Sequence, residues 1–180
     1  MNNTDRTDEQ LMCAASEGDM DAFEDLVRRH QDSAVNFATR MLSDPHAAHD
    51  AAQEAFLRIL EKADRYRPIA KFRTYLFSVL RRICIDHYRK HRPDSSGDLA
   101  WEQDSGHSPE DALIRDERAA AVRNAIDRLP ERQKTALILQ HYEEMTYEQI
   151  AEVMDCTPRA VDSLLVRARR KLEHSLRNLL

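Results

Sequence analysis

Apolar side chains recur along most of the chain at the three-and-four-residue spacing of a helix that buries one face. From Asp19 to Leu42 the pattern picks out Phe23, Leu26, Val27, Ala34, Phe37, Ala38, Met41 and Leu42. Ser43-Asp44-Pro45 interrupts it, and Pro45 suits the first turn of a second helix, where its missing N–H would have no partner anyway. That helix turns Ala48, Ala52, Ala55, Phe56, Ile59 and Leu60 inward. Arg67-Pro68 breaks the run, because the residue before a proline is pushed out of helical geometry. A third helix is predicted from about Lys71 to His91, with Leu76, Val79, Leu80, Ile83 and Tyr88 on its apolar side.

From Arg92 to about Asp111 the period disappears. Pro93, Gly97 and Gly106 alternate with serines and acids, a composition that buries too little apolar surface to offset chain entropy. It is expected to be a flexible acidic linker. Trp101 inside it is expected to make a single anchoring contact, with an exposed partner-binding role as the alternative. Beyond it, Leu113, Val122, Ile126 and Leu129 predict a helix closed by Pro130. Another follows from Glu131 to about Tyr142, and two shorter helical patterns complete the chain. The fold class is therefore all-α, with two small helical domains. Residues 1–18 form an N-terminal segment, 19–92 the first domain, 93–111 the linker and 112–180 the second domain. No internal repeat relates the halves.

The stretch from Tyr147 to Val166 fits a helix-turn-helix. Ala151 is small where the two helices must approach closely. Ile150, Val153 and Met154 would face Val161 and Leu165 across the core. Asp155 stands at the left-handed turn position, which Asp tolerates better than most residues. Thr157 can cap the second helix and Pro158 can open it. That helix then presents Arg159, Asp162, Ser163, Arg167, Arg169, Arg170 and Lys171, its early turns suited to a major groove and its later cations to phosphates. A plain amphipathic hairpin would show the same period.

Composition narrows the classes further. The chain has only three glycines, Gly18, Gly97 and Gly106, which argues against a many-turned sheet protein and against a glycine-rich phosphate loop. No apolar run reaches the roughly 18 residues of a membrane span, and the polar start Met1-Asn2-Asn3-Thr4-Asp5 is unlike a signal peptide. A cytoplasmic location is expected. Cys13, Cys84 and Cys156 are too scattered for a disulfide framework or a thiolate zinc site.

The net charge of −5 hides an alternation. Residues 62–92 carry 10 basic and 2 acidic side chains, and residues 158–180 carry 6 and 2. The segments before and between them are acidic, with 13 acids against 5 bases in residues 1–61. Polyanion binding follows local charge rather than the total. In the first basic block, Tyr66, Phe72, Tyr75, Phe77 and Tyr88 interleave with Arg65, Arg67, Lys71, Arg73, Arg81, Arg82, Arg89 and Lys90. Rings that stack on unpaired bases beside cations that hold the backbone are what single-stranded DNA requires. Burial is the alternative for Phe77 and Phe72.

His87 and His91 share a helix face, and His46 precedes His49 by three, a spacing open to metal. No Glu follows His87 as in a hydrolase motif, and Arg89 and Lys90 add positive charge. No metal and no cofactor are expected; a metal-dependent helical enzyme stays as an alternative reading.

Asp19-Met-Asp-Ala-Phe-Glu-Asp-Leu26, Asp50-Ala-Ala-Gln-Glu-Ala-Phe-Leu57 and Phe72-Arg-Thr-Tyr-Leu76 with Asp86 and Arg89 resemble region 2 of sigma factors. Leu129-Pro130, Thr146-Tyr-Glu-Gln-Ile-Ala151 and Val161-Asp-Ser-Leu-Leu-Val-Arg-Ala168 resemble region 4. These two regions alone, joined by a short linker, are the layout of the extracytoplasmic-function (ECF) group of the sigma-70 family. The resemblance implies a promoter-specificity subunit of bacterial RNA polymerase. It would not be an enzyme, since polymerase makes the phosphodiester bonds.

On this resemblance, Asp50, Gln53, Glu54 and Phe56 dock on the clamp helices of core polymerase, whose flap is the further contact. Lys71, Phe72, Arg73, Thr74, Tyr75, Arg81, Arg82, Asp86 and Arg89 recognise and melt the −10 element and capture a flipped base. Arg159, Asp162, Ser163, Arg167, Arg170 and Lys171 read the −35 element. An anti-sigma factor would hold the chain inactive, with Leu164 and Val166 either adding apolar surface or packing on neighbouring helices.

The chain departs from the pattern in places. Tyr75 replaces the usual Trp, Arg82 an Asn near the flipped-base pocket, and Ala160 a common Thr; Asp162 and Leu164 stand at usually basic positions. An Asp can accept from cytosine N4 yet repels phosphate, so an atypical −35 preference is expected. The competing reading is a stand-alone helix-turn-helix regulator, which would account for residues 130–172 but leave Asp50 to Phe56 and the aromatic-basic helix without a purpose.

Overall fold

The computed structural model describes residues 6–68, 70–91 and 110–177, and every regular element among them is helical. The first, α1 (Asp8–Ser16), lies in the segment for which the hydrophobic pattern predicts no element. It is nucleated by a capping box: Thr7 Oγ1 accepts from the Gln10 amide, and the Gln10 side chain accepts from the Thr7 amide. Leu11 and Met12 are fully buried beneath it.

Gly18, at φ 99°, makes the turn into α2 (Met20–Leu42), which Asp19 caps through the Ala22 amide. Ser43 ends α2 in the left-handed region, and Asp44 caps α3 (Pro45–Glu61) by accepting from His46 and Ala47. The buried face of α3 is largely alanine (Ala47, Ala48, Ala51, Ala52, Ala55), which lets it lie close against α2. A short 3-10 turn at Ala63–Arg65 leads toward α4 (Phe72–His91). The α4 helix drives Phe72, Leu76, Phe77 and Leu80 into the core without residual exposure. Phe37 meets Phe77 edge to face at 5.1 Å.

The second region comprises α5 (Glu110–Asp127), α6 (Glu131–His141), α7 (Tyr147–Met154) and α8 (Pro158–Leu176). Helices α6 to α8 close a small core from Ile138, Leu139, Ile150, Val153, Met154, Val161 and Leu165, and α5 leans on α8. Most of the linker, Trp101 included, lies outside the described residues.

The two regions share one apolar core. Helix α6 packs on α2, and α7 packs on α4. The ammonium of Lys134 is buried at this seam, donating to the Met41 carbonyl at 3.1 Å and to the Asp127 carboxylate at 2.6 Å. The Arg40 guanidinium sits 4.0 Å over the Tyr142 ring. The structure is thus a closed form, in which the helix-turn-helix folds back on the first region.

Candidate nucleic-acid and polymerase interfaces

The helix-turn-helix is built as its sequence predicts. Thr146 and Gln149 form a capping box at the start of α7, and Asp155 ends it with φ 50° and ψ 59°. Thr157 Oγ1 accepts from the Ala160 amide at 3.2 Å, and Pro158 opens α8. Val161, Leu165 and Ala168 are buried, which fixes the rotation of α8 about its axis. Arg159, Asp162, Ser163, Arg167, Arg170 and Lys171 then all face solvent, and none of them is in an ion pair among the described residues. Arg169 turns back instead and donates to Gln140 at 3.2 Å. Leu164 packs against the core, whereas Val166 is exposed.

The expected −10 residues split into groups. Phe72 and Thr74 are buried, and so is Phe77, so their side chains build the first region rather than touching DNA. Lys71, Arg82, Asp86 and Arg89 are exposed. Arg73 and Arg81 are engaged by acids of the second region. Arg73 donates to Glu143 at 2.8 Å, and the Glu143 carboxylate also accepts from Ser33 Oγ at 2.6 Å while being 4 % exposed. Arg81 pairs with Glu131 at 3.2 Å.

Tyr75 is half-buried and lies 5.8 Å from Tyr66, the two rings inclined at 45°. With Lys62, Arg65, Arg67 and Ala70 they line a cavity of roughly 250 Å³. That is the liquid volume of about eight waters, room for one nucleobase between an aromatic wall and a cationic rim. The hydroxyl of Tyr66 is buried without a hydrogen-bond partner. Burial, with the charge of Glu9 adding to it, pushes the Tyr66 phenol up to about 12, so at neutral pH it holds its proton and can donate. Burial raises Tyr75 as well, with Arg82 pulling the other way. Lys62, Arg65 and Tyr66 come from a non-periodic connection that a helical pattern cannot place. Their signal was compositional: rings and cations alternating just before a helix start.

On α3, Asp50, Gln53 and Glu54 point outward, and Glu54 pairs with Arg58 at 2.5 Å. Phe56 does not join them. It is 6 % exposed and packs in the core, because it lies on the same helix face as Ala52 and Ile59. The apolar residue on the outward face is Leu57, 59 % exposed, three residues beyond Glu54. A helical-wheel register would have preferred it.

Among the described residues no helix is long and apolar enough to cross a membrane. Residues 26–93 match sigma-70 region 2, and residues 119–172 match sigma-70, region 4. The chain is 35 % identical to the RNA polymerase sigma-H factor of Pseudomonas aeruginosa over 98 % of its own length and 97 % of the relative's. It is 31 % identical to the ECF RNA polymerase sigma factor SigW of Bacillus subtilis, covering 90 % of this chain and 92 % of that one. Its fold superposes with a TM-score of 0.66 on the sigma factor RpoE from Bartonella quintana, solved with the anti-sigma factor NepR, at 20 % identity over 86 % of this chain and 96 % of that one. Two region matches in the right order, and relatives aligned almost end to end, establish that the chain belongs to the ECF group of the sigma-70 family of RNA polymerase sigma factors.

Proposed function

We propose that this chain, acting in the cytoplasm and without catalysis or cofactor of its own, brings core polymerase to promoters by reading two DNA elements with two different surfaces. Helix α8 enters the major groove of the −35 element through Arg159, Asp162 and Ser163, with Arg167, Arg170 and Lys171 on phosphates. The cavity between Tyr66 and Tyr75 receives an unpaired −10 base, with Lys71, Arg82 and Arg89 on the strand. The outward face of α3, with Asp50, Gln53, Glu54 and Leu57, docks on the polymerase clamp.

The observation that carries this reading is the pairing, in one chain, of an uncommitted recognition helix with an aromatic-cationic cavity. In a reconstituted assay, core polymerase with this protein is expected to start at discrete promoter positions, and core alone is not. Absence of both core binding and start-site selection would overturn the proposal. Duplex binding at full affinity without core would favour a stand-alone regulator instead.

The closed form cannot read both elements at once. Centres about 25 base pairs apart are separated by roughly 85 Å of duplex, whereas a compact chain of this length has a radius of gyration of about 16 Å. The regions therefore separate on the promoter, and the 18 residues from Arg92 to Pro109 can reach roughly 60 Å when extended. In the closed form Glu131 and Glu143 occupy Arg81 and Arg73 where DNA phosphates would lie. A partner that stabilises this closure would act as an anti-sigma factor; the Bartonella protein was solved with the anti-sigma factor NepR.

Asp162 stands exposed and outside any ion pair among the described residues, positioned to accept from a cytosine amino group and to disfavour other bases. Binding-site selection with the holoenzyme is expected to return an atypical −35 element. Return of the ordinary ECF consensus would sink that assignment.

A further inference from the structure

The match to region 2 begins at residue 26, after α1. Yet the first turn of α1 reaches the start of α4, the helix that carries Tyr75 into the cavity wall. Helix α4 starts at Phe72, and the Lys71 carbonyl accepts its first bond, from the Tyr75 amide at 3.2 Å, so Lys71 is the capping residue. A lysine side chain carries only donors and cannot satisfy the amides of that first turn. The acceptor comes from far away in sequence. Glu9 Oε1 takes the Phe72 amide at 3.1 Å, placing a carboxylate at the positive end of α4.

Its neighbour Asp8 acts on the same residue through His30. Asp8 Oδ2 lies 2.7 Å from His30 Nε2, and the His30 ring packs against the Phe72 ring with centroids 5.3 Å apart. Two consecutive acids of α1 thus fix Phe72 by its backbone and by its ring. The opposite end of the cavity is also α1's neighbour, since α1 packs on the 3-10 turn at Ala63–Arg65 that leads to Tyr66. Tyr75 sits one turn into α4, so movement of the first turn shifts Tyr75 against Tyr66 and reshapes the wall they form together. The helix has the rigidity for this task, being closed by its own capping box and tied to Asp19 through Arg6 at 3.3 Å.

We infer that Glu9 is a positioning residue for the −10 base, acting through the Phe72 amide to hold α4 so that Tyr75 stays against Tyr66 and the two rings form the aromatic wall of the cavity. This rests on the cavity being the base site, as argued above. It also explains why Phe72, expected at the DNA, is buried: it is the handle by which α1 holds α4.

The test uses the full-length protein assembled with core polymerase, and promoters carrying 2-aminopurine at successive −10 positions as a reporter of base extrusion. Glu9→Ala is expected to lower the extrusion signal about tenfold. Core affinity and −35-dependent promoter binding should stay within about twofold. Glu9→Gln keeps a carbonyl acceptor at the same reach and should recover most of the signal. Glu9→Asp keeps the charge but is one methylene short, and should behave like Glu9→Ala; it is the variant to use if Glu9→Ala melts below the assay temperature.

Wild-type extrusion in both Glu9→Ala and Glu9→Asp overturns the inference. So does a parallel fall in core binding and extrusion that Glu9→Gln fails to rescue, since that marks a general loss of structure. Tyr66→Ala and Tyr75→Ala separate the two levels. If neither changes extrusion, the cavity is not the base site. If both abolish it while the Glu9 variants do not, the base site stands and the role of Glu9 falls.

Discussion

Helix α8 and helix α4 are both cationic, both lie in basic blocks that follow an acidic one, and both are proposed to meet promoter DNA, but the fold treats them differently. On α8 the apolar residues Val161, Leu165 and Ala168 face one way, and the polar set from Arg159 to Lys171 faces solvent without ion pairs among the described residues. On α4 the corresponding set is divided. Phe72 and Thr74 are core, Arg73 and Arg81 are held by Glu143 and Glu131, and Tyr75 shares a cavity wall with Tyr66. A duplex reader needs one rigid helix with one exposed face, which local pattern provides. A single-strand reader needs a hollow, and hollows are made by loops and by elements distant in sequence. The proposed −35 surface stands ready, while the proposed −10 surface is partly spent on closing the molecule.

The largest effect expected is Phe72→Ala. A fully buried ring packed against His30 should cost about 3–5 kcal/mol on removal, read by chemical denaturation. Arg159→Ala on the exposed α8 face should change stability by less than about 0.5 kcal/mol. Similar stabilities for the two variants would break the contrast between the helices.

That contrast also marks how much was legible in the sequence. The long helices, their caps at Asp19, Asp44 and Thr157, and the turn at Asp155 follow from period and capping chemistry, both local. Helix α1 was legible too, through Thr7 and Gln10 with Leu11, Met12 and Ala15 behind them, but its short apolar run gave the period little weight. The seam between regions was not legible. Nothing local tells that Lys134 is buried against Met41, or that Glu143 meets Arg73 seventy residues away. Phe56 was misplaced by motif: the resemblance named the segment from Asp50 to Leu57, while the helical wheel decides that Leu57, not Phe56, faces out.

Next in size is the seam itself. Glu143→Gln with Glu131→Gln removes the two carboxylates that neutralise Arg73 and Arg81, at a cost of about 1.5–3 kcal/mol to closure. Scattering from the free protein should show a radius of gyration above the roughly 16 Å of a compact chain. Binding of single-stranded −10 DNA by the free protein should rise about tenfold. An unchanged radius and unchanged binding would mean that the acids do not hold the regions together.

On the open side of the comparison, Arg159→Ala and Arg167→Ala distinguish a side chain on a base from one on a phosphate. Removing a base-reading side chain should cost about 1–3 kcal/mol and relax preference at one −35 position. Removing a phosphate-binding one should weaken all sequences alike and reduce the salt slope by about 1. Arg159, in the first turn, is expected to show the former and Arg167 the latter, in holoenzyme binding to mutated −35 elements. The reverse assignment would rotate α8 in the groove.

The smallest effect probes the α4 side from within. Cys84 lies buried on α4, and burial raises its thiol from 9.0 to about 12, with the Lys134 ammonium across the seam pulling it down. The folded protein therefore keeps a proton that the unfolded chain releases above pH 9. Stability is unaffected below pH 9 and falls as pH rises from there toward about 12, by up to about 1.4 kcal/mol per pH unit. Tyr66, raised from 10.0 to about 12, adds to the decline above pH 10. Between about pH 8 and pH 10 the loss from Cys84 is about 1.4 kcal/mol. Cys84→Ala should flatten the denaturation profile across that interval and leave only the later fall. An identical profile in Cys84→Ala and wild type would show that the thiol is not sealed inside α4's face, and that this helix is as open to solvent as α8.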